Sequence, residues 1–275
     1  MNAWSRDELV LAFNLYCKLP FGQFHHRNPL VREFASLIGR SPAAVAMKLC
    51  NFASLDPTHR ARGVRGLSHA SHRDKELWEE FDSDWDGMTV ESERLLASLV
   101  SQRRPQAKPG VSRPGPPHWE LEVTSDLLSA PTESQRIAPL RLRQALFRRI
   151  VLASYRAKCC VCGNPVPALL VASHIIPWAQ RANLRMNPHN GLCMCALHDR
   201  AFDCRLLAVS SDYSIRISDA VQAYLPSEAL ENGLTRYDGG SIDLPDKFLP
   251  SREFLAYRLT TPPSAKSRAR SWSRI

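Results

Sequence analysis

Two short pairs of metal-binding residue types, Cys159-x-x-Cys162 and Cys195-x-x-His198, restrict the fold of this chain more than any other feature. Each pair has the two-residue gap that lets both side chains reach one Zn²⁺, and four such donors complete a tetrahedron. If one ion takes all four, both ends of the intervening segment are brought to one point. Five of the eight cysteines fall between Cys159 and Cys195. In a reducing compartment that clustering points to metal ligation before disulfides. Cys160 or Cys193 are alternative ligands, and buried free thiols without zinc are the remaining option. Cys17, Cys50 and Cys204 are scattered, as small core residues are.

The enclosed segment follows a strand, loop, strand, helix pattern. Ala168 to Ile175 is β-like, Gly191 to Cys195 suits an antiparallel partner, and Ala196 to Asp203 suits a short helix. The first strand ends on Ser173-His174, the loop on Asn187-Pro188-His189-Asn190-Gly191, and the helix carries His198-Asp199. A histidine in an apolar strand is more often a satisfied core residue, and Asn-Gly alone is only a turn signal. The order of all three pieces together resembles the HNH nuclease motif. That resemblance implies a ββα-metal unit in which His174 is the general base for an attacking water. Asn190 would tie the loop to the strand and orient His174, and a helix residue would bind a catalytic Mg²⁺ or Mn²⁺. The family's usual Asp-His or His-His pair is Ser173-His174 here. A hydroxyl is a poor ligand, so the ion must depend on the helix or on water. If Cys159, Cys162, Cys195 and His198 hold structural Zn²⁺, Asp199 takes the third catalytic position; without zinc, His198 takes it. Phe202-Asp203 resembles an aromatic anchor followed by a helix-end carboxylate.

Upstream, a helix is expected from Pro139 to Lys158, with Leu142, Leu146, Ile150 and Ala153 on one side. From Arg136 to Lys158 there are seven basic residues and no acid, and Arg141/Arg148 and Arg149/Arg156 recur at seven-residue spacing. Such stripes suit a phosphate backbone, a solvated helix face being the alternative. Between Ser101 and Pro117 the chain is too rich in Pro and Gly to form a core. Downstream, Leu206 to Ser218 alternates like a short strand pair.

The N-terminal part is helical. Ser5-Arg6-Asp7-Glu8 is a capping box opening a helix to about residue 17. Pro29 opens a second helix with Val31, Phe34, Ala35 and Ile38 inward. Gly39 turns the chain, and Ser41-Pro42 start a third helix with Val45, Leu49 and Phe52 inward and Ala44, Lys48 and Asn51 outward. The last two look like a helix-turn-helix. Net charge is +9, but residues 18–73 carry nine Lys/Arg against two acids while 74–93 carry nine acids against one Lys. The first stretch suits a polyanionic partner, and the acidic one suits helices packed behind it.

These features define an α+β chain: an all-α helix-turn-helix-like DNA-recognition domain (1–100), a linker (101–135), a ββα-metal HNH nuclease domain (136–260) and a basic tail (261–275) expected to be disordered. Over roughly half its length, through Gln144, Phe147, Tyr155, Val171 to Trp178 and Asn-Pro-x-Asn-Gly-Leu-Cys, the chain is similar to bacterial HNH restriction endonucleases. Leu19-Pro-Phe-Gly22, His26-Arg-Asn-Pro29, Val45-Ala-Met-Lys48 and Asn51 to Pro57 look like a recognition domain, similar to the sulfur-binding domains that sense phosphorothioated DNA. That likeness implies an apolar pocket of Pro20, Phe21, Pro29 and Phe52 rimmed by His26, Arg27 and Lys48. The function expected is a modification-dependent restriction endonuclease acting on double-stranded DNA. The alternatives are an HNH nuclease reading methylated or unmodified sequence, and a non-catalytic zinc-stabilised DNA-binding protein. No apolar stretch has membrane-spanning length and the N-terminus is no signal peptide, so a cytoplasmic protein is expected. Monomer and homodimer both remain open.

Overall fold

A computed structural model describes residues 3–61, 70–103 and 138–261. Helix α1 (Arg6–Lys18) begins where Ser5 and Glu8 cap each other: Ser5 Oγ accepts from Glu8 N at 3.2 Å, and Ser5 N donates to Glu8 Oε2 at 2.7 Å. Asn28 caps α2 (Pro29–Ile38), which stops at Gly39 because φ there is +73°, a conformation that a Cβ disfavours. Ser41 caps α3 (Pro42–Leu55). The short α4 (Pro57–Ala61) follows, then α5 (His72–Ser83) and α6 (Trp85–Arg103), which continues three residues into the expected linker. Residues 104–137 and 262–275, holding most of that linker and of the basic tail, lie outside the described residues.

The helices close around Phe13, fully buried, whose ring meets those of Phe81 at 4.2 Å, Phe52 at 5.1 Å, Trp78 at 5.3 Å and Trp85 at 6.1 Å. Two assignments on α3 need correction. Lys48 and Asn51, expected outward, are both buried. A single inward stripe left this face open, but α5 covers it: Lys48 Nζ donates to Asp74 Oδ1 at 2.7 Å, and Asp74 Oδ2 accepts from Ser71 N at 2.9 Å. What α3 fully exposes is Ala43 and Met47, neither of them charged. Two helices joined by the Gly39 turn are present, and the fully exposed positions of α3 carry no polar side chain to read base edges. A second buried pair joins Lys18 to Glu93, which also accepts from Asn14 Nδ2 at 2.6 Å.

Helix α7 (Ala138–Ser154) ends four residues short of the expected Lys158. Arg156 and Ala157 take φ of +52° and +51°, and Ala157 N returns to Leu152 O at 2.8 Å, reversing the chain into the first cysteine pair. The expected Arg149/Arg156 stripe does not run along one helix face, because Arg156, with its side chain 57% exposed, lies beyond the end of α7. Arg156 is held by Asp246, and Arg149 lies close enough to buried Lys18 to oppose its protonation, after burial itself. Arg148 is half-buried, and the side chain of Arg141 lies outside the described residues.

The chain divides into two compact units, Met1–Ile150 with Arg185–Asn187, and Val151–Leu184 with Pro188–Ile275. The second is built on the hairpin β1 (Leu170–His174) and β2 (Gly191–Cys195), antiparallel with Leu170 opposite Cys195 and His174 opposite Gly191. Helix α8 (Ala196–Asp203) follows at once. The hairpin β3 (Leu207–Val209) and β4 (Ile215–Ile217) lies where the alternation placed it. After α9 (Glu228–Gly233), a strap crosses both hairpins: Ile242 N donates to Tyr213 O, Asp243 N to Cys160 O and Ser251 N to His189 O, at 2.7 to 3.0 Å. The helix α10 (Arg252–Thr260) completes the unit. Among the described residues no helix is long and apolar enough to cross a membrane.

Truncating Lys48 strands the Asp74 carboxylate, which is 0% exposed. Lys48→Ala should therefore destabilise the N-terminal unit by about 3–5 kcal/mol in urea unfolding. A loss within experimental error of zero would contradict the buried pair.

Candidate active site and metal centre

The knuckle turn is set by Gly163 at φ +70°, with Cys159 N donating to Asn164 O at 3.0 Å and Gly163 N to Cys159 O at 2.8 Å. Cys160 N bonds Cys193 O at 2.7 Å, fastening the turn to β2, whose last residue is Cys195. One turn into α8, His198 points back. Its Nδ1 lies 3.1 Å from Cys195 Sγ and 3.5 Å from Cys159 Sγ, and Cys162 Sγ is 3.9 Å from Cys195 Sγ. The ligand atoms of Cys159, Cys162, Cys195 and His198 all lie within 4.8 Å of one another. Thiolates around tetrahedral zinc sit about 3.8 Å apart, so the spacing and the donor set both fit. Gly233 O lies 2.9 Å from His198 Nε2, so Nε2 carries the proton and Nδ1 offers its lone pair. Burial pushes the Cys162 thiol up to about 12, so a thiolate there needs a cation beside it. Cys160 and Cys193 are buried outside the cluster. His198, left between two ions by the sequence, stands in the cysteine cluster and not beside the expected base.

At the opposite end of the hairpin stand the other motif residues. His174 is half-exposed, its ring edge-on to Trp178 with centroids 5.3 Å apart. Asn190, buried at 1% exposure, holds the strand end next to it. Its backbone O accepts from Ile175 N at 2.9 Å, its Oδ1 from Ile176 N at 2.7 Å, and its Nδ2 donates to Ile176 O at 3.1 Å and Leu184 O at 3.2 Å. Asn190 thus ties the loop to the strand end that follows His174. The buried Ser173 hydroxyl donates to Asp199 Oδ1. Burial raises the Asp199 carboxyl above its ordinary pKa; the Ser173 hydrogen bond opposes that and the Asp203 carboxylate adds to it. The Asp199 carboxylate is the one strong donor here for a hard cation such as Mg²⁺, which keeps several waters and takes one or two carboxylates, while the Ser173 hydroxyl adds little.

The N-terminal residues do not assemble as expected. Phe52 belongs to the aromatic core and Lys48 to the Asp74 pair, so neither lines a pocket with the loop residues. Phe21 is half-buried, its ring 4.1 Å from that of His59, while His26 and Arg27 are exposed.

Residues 159–210 match the HNH endonuclease family model HNH_2. The matched span brackets both metal-ligand pairs together with His174, Asn190 and Asp199, so the C-terminal unit carries an HNH endonuclease domain. No curated protein matches the chain.

Residues beyond that span complete the site. Besides Gly233, Tyr237 sets its ring edge-on to His198 at 5.4 Å, and Arg258 donates to Ile175 O at 2.8 Å and Phe202 O at 2.8 Å. In the sequence Arg258 is one cation in an amphipathic stretch, and nothing local distinguishes it from a solvated one.

Purified protein should carry about one Zn²⁺ per chain by atomic absorption. Cys159→Ser or Cys162→Ser should lose the ion and unfold the C-terminal unit, seen by circular dichroism. Metal-free protein of unchanged stability would exclude a structural zinc.

The raised carboxyl of Asp199 gives a second test. The folded state holds that proton more tightly than the unfolded chain, so ionisation of Asp199 costs stability, beginning as pH rises past the ordinary carboxylate value. Asp199→Asn should raise the melting temperature at pH 7–8 in magnesium-free buffer. The gain should shrink as pH falls towards about 4. An equal gain at all pH values would remove the carboxylate as its source.

Proposed function

We propose that this protein is an endonuclease hydrolysing phosphodiester bonds of double-stranded DNA, with the HNH unit as its catalytic part and the N-terminal unit as its target reader. The observation that supports it most is the Asn190 clamp on the strand end bearing His174, with Asp199 brought to the adjacent Ser173. A neutral His174 imidazole takes the proton of the attacking water. Asp199, with the Ser173 hydroxyl and water, would hold Mg²⁺ or Mn²⁺. Bound there, such an ion would supply Lewis acidity against the charge developing at phosphorus and on the leaving oxygen. The Asn190 hydrogen bonds hold the strand end rigid, so His174 stays near its reactive geometry without reorganisation.

The finer reading is a restriction nuclease that acts on modified DNA, phosphorothioated DNA among the candidates. With α3 uncharged at its exposed positions, target reading falls to the loop before α2, where exposed His26 and Arg27 neighbour the half-buried Phe21 in sequence. A phosphorothioate sulfur is larger and less hydrated than oxygen, so an aromatic surface beside cations suits it. The departure at Ser173, a hydroxyl where the family has a stronger ligand, favours the non-catalytic alternative and makes an activity assay decisive.

Plasmids of one sequence, plain, methylated and phosphorothioated, should be incubated with the full chain and Mg²⁺ or Mn²⁺. Nicking should require the divalent ion and fall by roughly 10²–10⁴-fold in His174→Ala, with DNA binding nearly intact. No nicking of any plasmid leaves a zinc-stabilised binder. Equal nicking of all three leaves a nuclease indifferent to modification.

A further inference from the structure

Arg258 lies 48 positions beyond the end of the matched nuclease span at residue 210, yet its side chain is buried at 8% exposure against the middle of the motif. Its guanidinium reaches His174 O at 3.5 Å, Ile175 O at 2.8 Å and Phe202 O at 2.8 Å, and stands 3.5 Å from the Asp203 carboxylate. The Phe202 ring lies beneath it at 3.8 Å. Together with Asn190 this accounts for every backbone polar group from His174 O to Ile176 O. Arg258 takes the carbonyls of 174 and 175. Asn190 takes the amides of 175 and 176 and the carbonyl of 176. The same guanidinium grips the end of α8, the helix that carries Asp199.

A buried charge is a poor way to gain stability alone, since apolar residues of similar volume often do as well. What a planar fork of donors adds is geometry: it fixes two segments relative to one another. Burial lowers this guanidinium to about 10, which still leaves it protonated near neutrality, so all its donors are present under working conditions. Its own helix is fastened in turn, because Arg205 donates to Arg258 O and, at 2.6 Å, to Thr261 O.

The geometry points to Arg258 as a positioning residue that sets His174 against Asp199, supplied by the chain beyond the HNH span. This rests on the nuclease reading above. Arg258 touches no reacting atom; it acts through the backbone of His174 and the end of α8. Losing it should therefore lower turnover more than substrate binding.

The test uses the full, zinc-loaded chain on plasmid DNA, with Arg258→Lys, Arg258→Met and the control Tyr213→Phe, which removes only the 3.0 Å strap bond to Pro250 O. Relative to wild type, kcat should fall about tenfold in Arg258→Lys and about a hundredfold in Arg258→Met, with KM within about twofold and zinc content unchanged. Tyr213→Phe should lower the melting temperature without lowering kcat. If kcat in Arg258→Lys stays at the wild-type value, as in the control, or falls only in step with the folded fraction, Arg258 is structural and the proposal is overturned. Arg258→Lys keeps charge and reach, so it decides the matter even where Arg258→Met does not fold. Wild type no more active than His174→Ala would instead sink the nuclease reading, and the positioning role with it.

Discussion

Three thiols and an imidazole meeting at one point inside the C-terminal unit set the terms for everything around them. As bare thiolates they would repel one another in a poorly solvated place, and as thiols they gain little from proximity. With one cation they become a cross-link between the turn after α7, the end of β2 and the start of α8. Such a link matters because strands β1 and β2 have five residues each, and an isolated two-stranded hairpin is marginal in water. From that vertex the rest is measured out by strand geometry. Leu170 opposite Cys195 and His174 opposite Gly191 put the cysteine cluster and His174 at opposite ends of the hairpin, about 13 Å apart at a strand's rise per residue. Along α8 the division is angular: neighbouring helix residues diverge by about 100°, so His198 serves the cluster while Asp199 turns to Ser173.

The N-terminal unit obeys a different constraint. Its aromatic core closes around Phe13, but two buried ion pairs, Lys18 with Glu93 and Lys48 with Asp74, hold its helices in register. Basic residues and acidic residues that look like separate faces along the chain are brought together in the interior. A net charge of +9 is therefore not a map of the outer surface. Within the proposed reading loop the exposed cation is Arg27, next to the exposed His26, and not the lysine of α3.

Much of the HNH motif was legible because local rules govern it. The start of β2 follows from the turn at Asn190-Gly191, and the caps at Ser5, Asn28 and Ser41 stand where their residue types place them. What escaped depends on long-range packing. Periodicity gives α3 one inward stripe but cannot say that α5 covers a second, so Lys48 and Asn51 were assigned to the wrong face. The length of α7 depended on a reversal at Arg156 and Ala157, two non-glycine residues at positive φ with no composition signal. The choice between two ions for His198 turned on Gly233, 35 residues away, whose carbonyl directs Nδ1 towards the cysteines.

Gly233 O accepts from His198, Leu249 O lies 2.6 Å from His189 Nδ1, and Arg258 donates to Ile175 O, and these bonds bear on where the HNH unit ends as a physical object. A recurring pattern of residues and a cooperatively folding piece of chain are different things. Residues 159–210 contain the cysteine and histidine cluster together with His174, Asn190 and Asp199, yet cut out alone they would leave the His198 ring without its orienting acceptor and the carbonyls at the end of β1 without Arg258. A fragment meant to be grafted or expressed separately would have to extend to the end of α10 to keep these bonds.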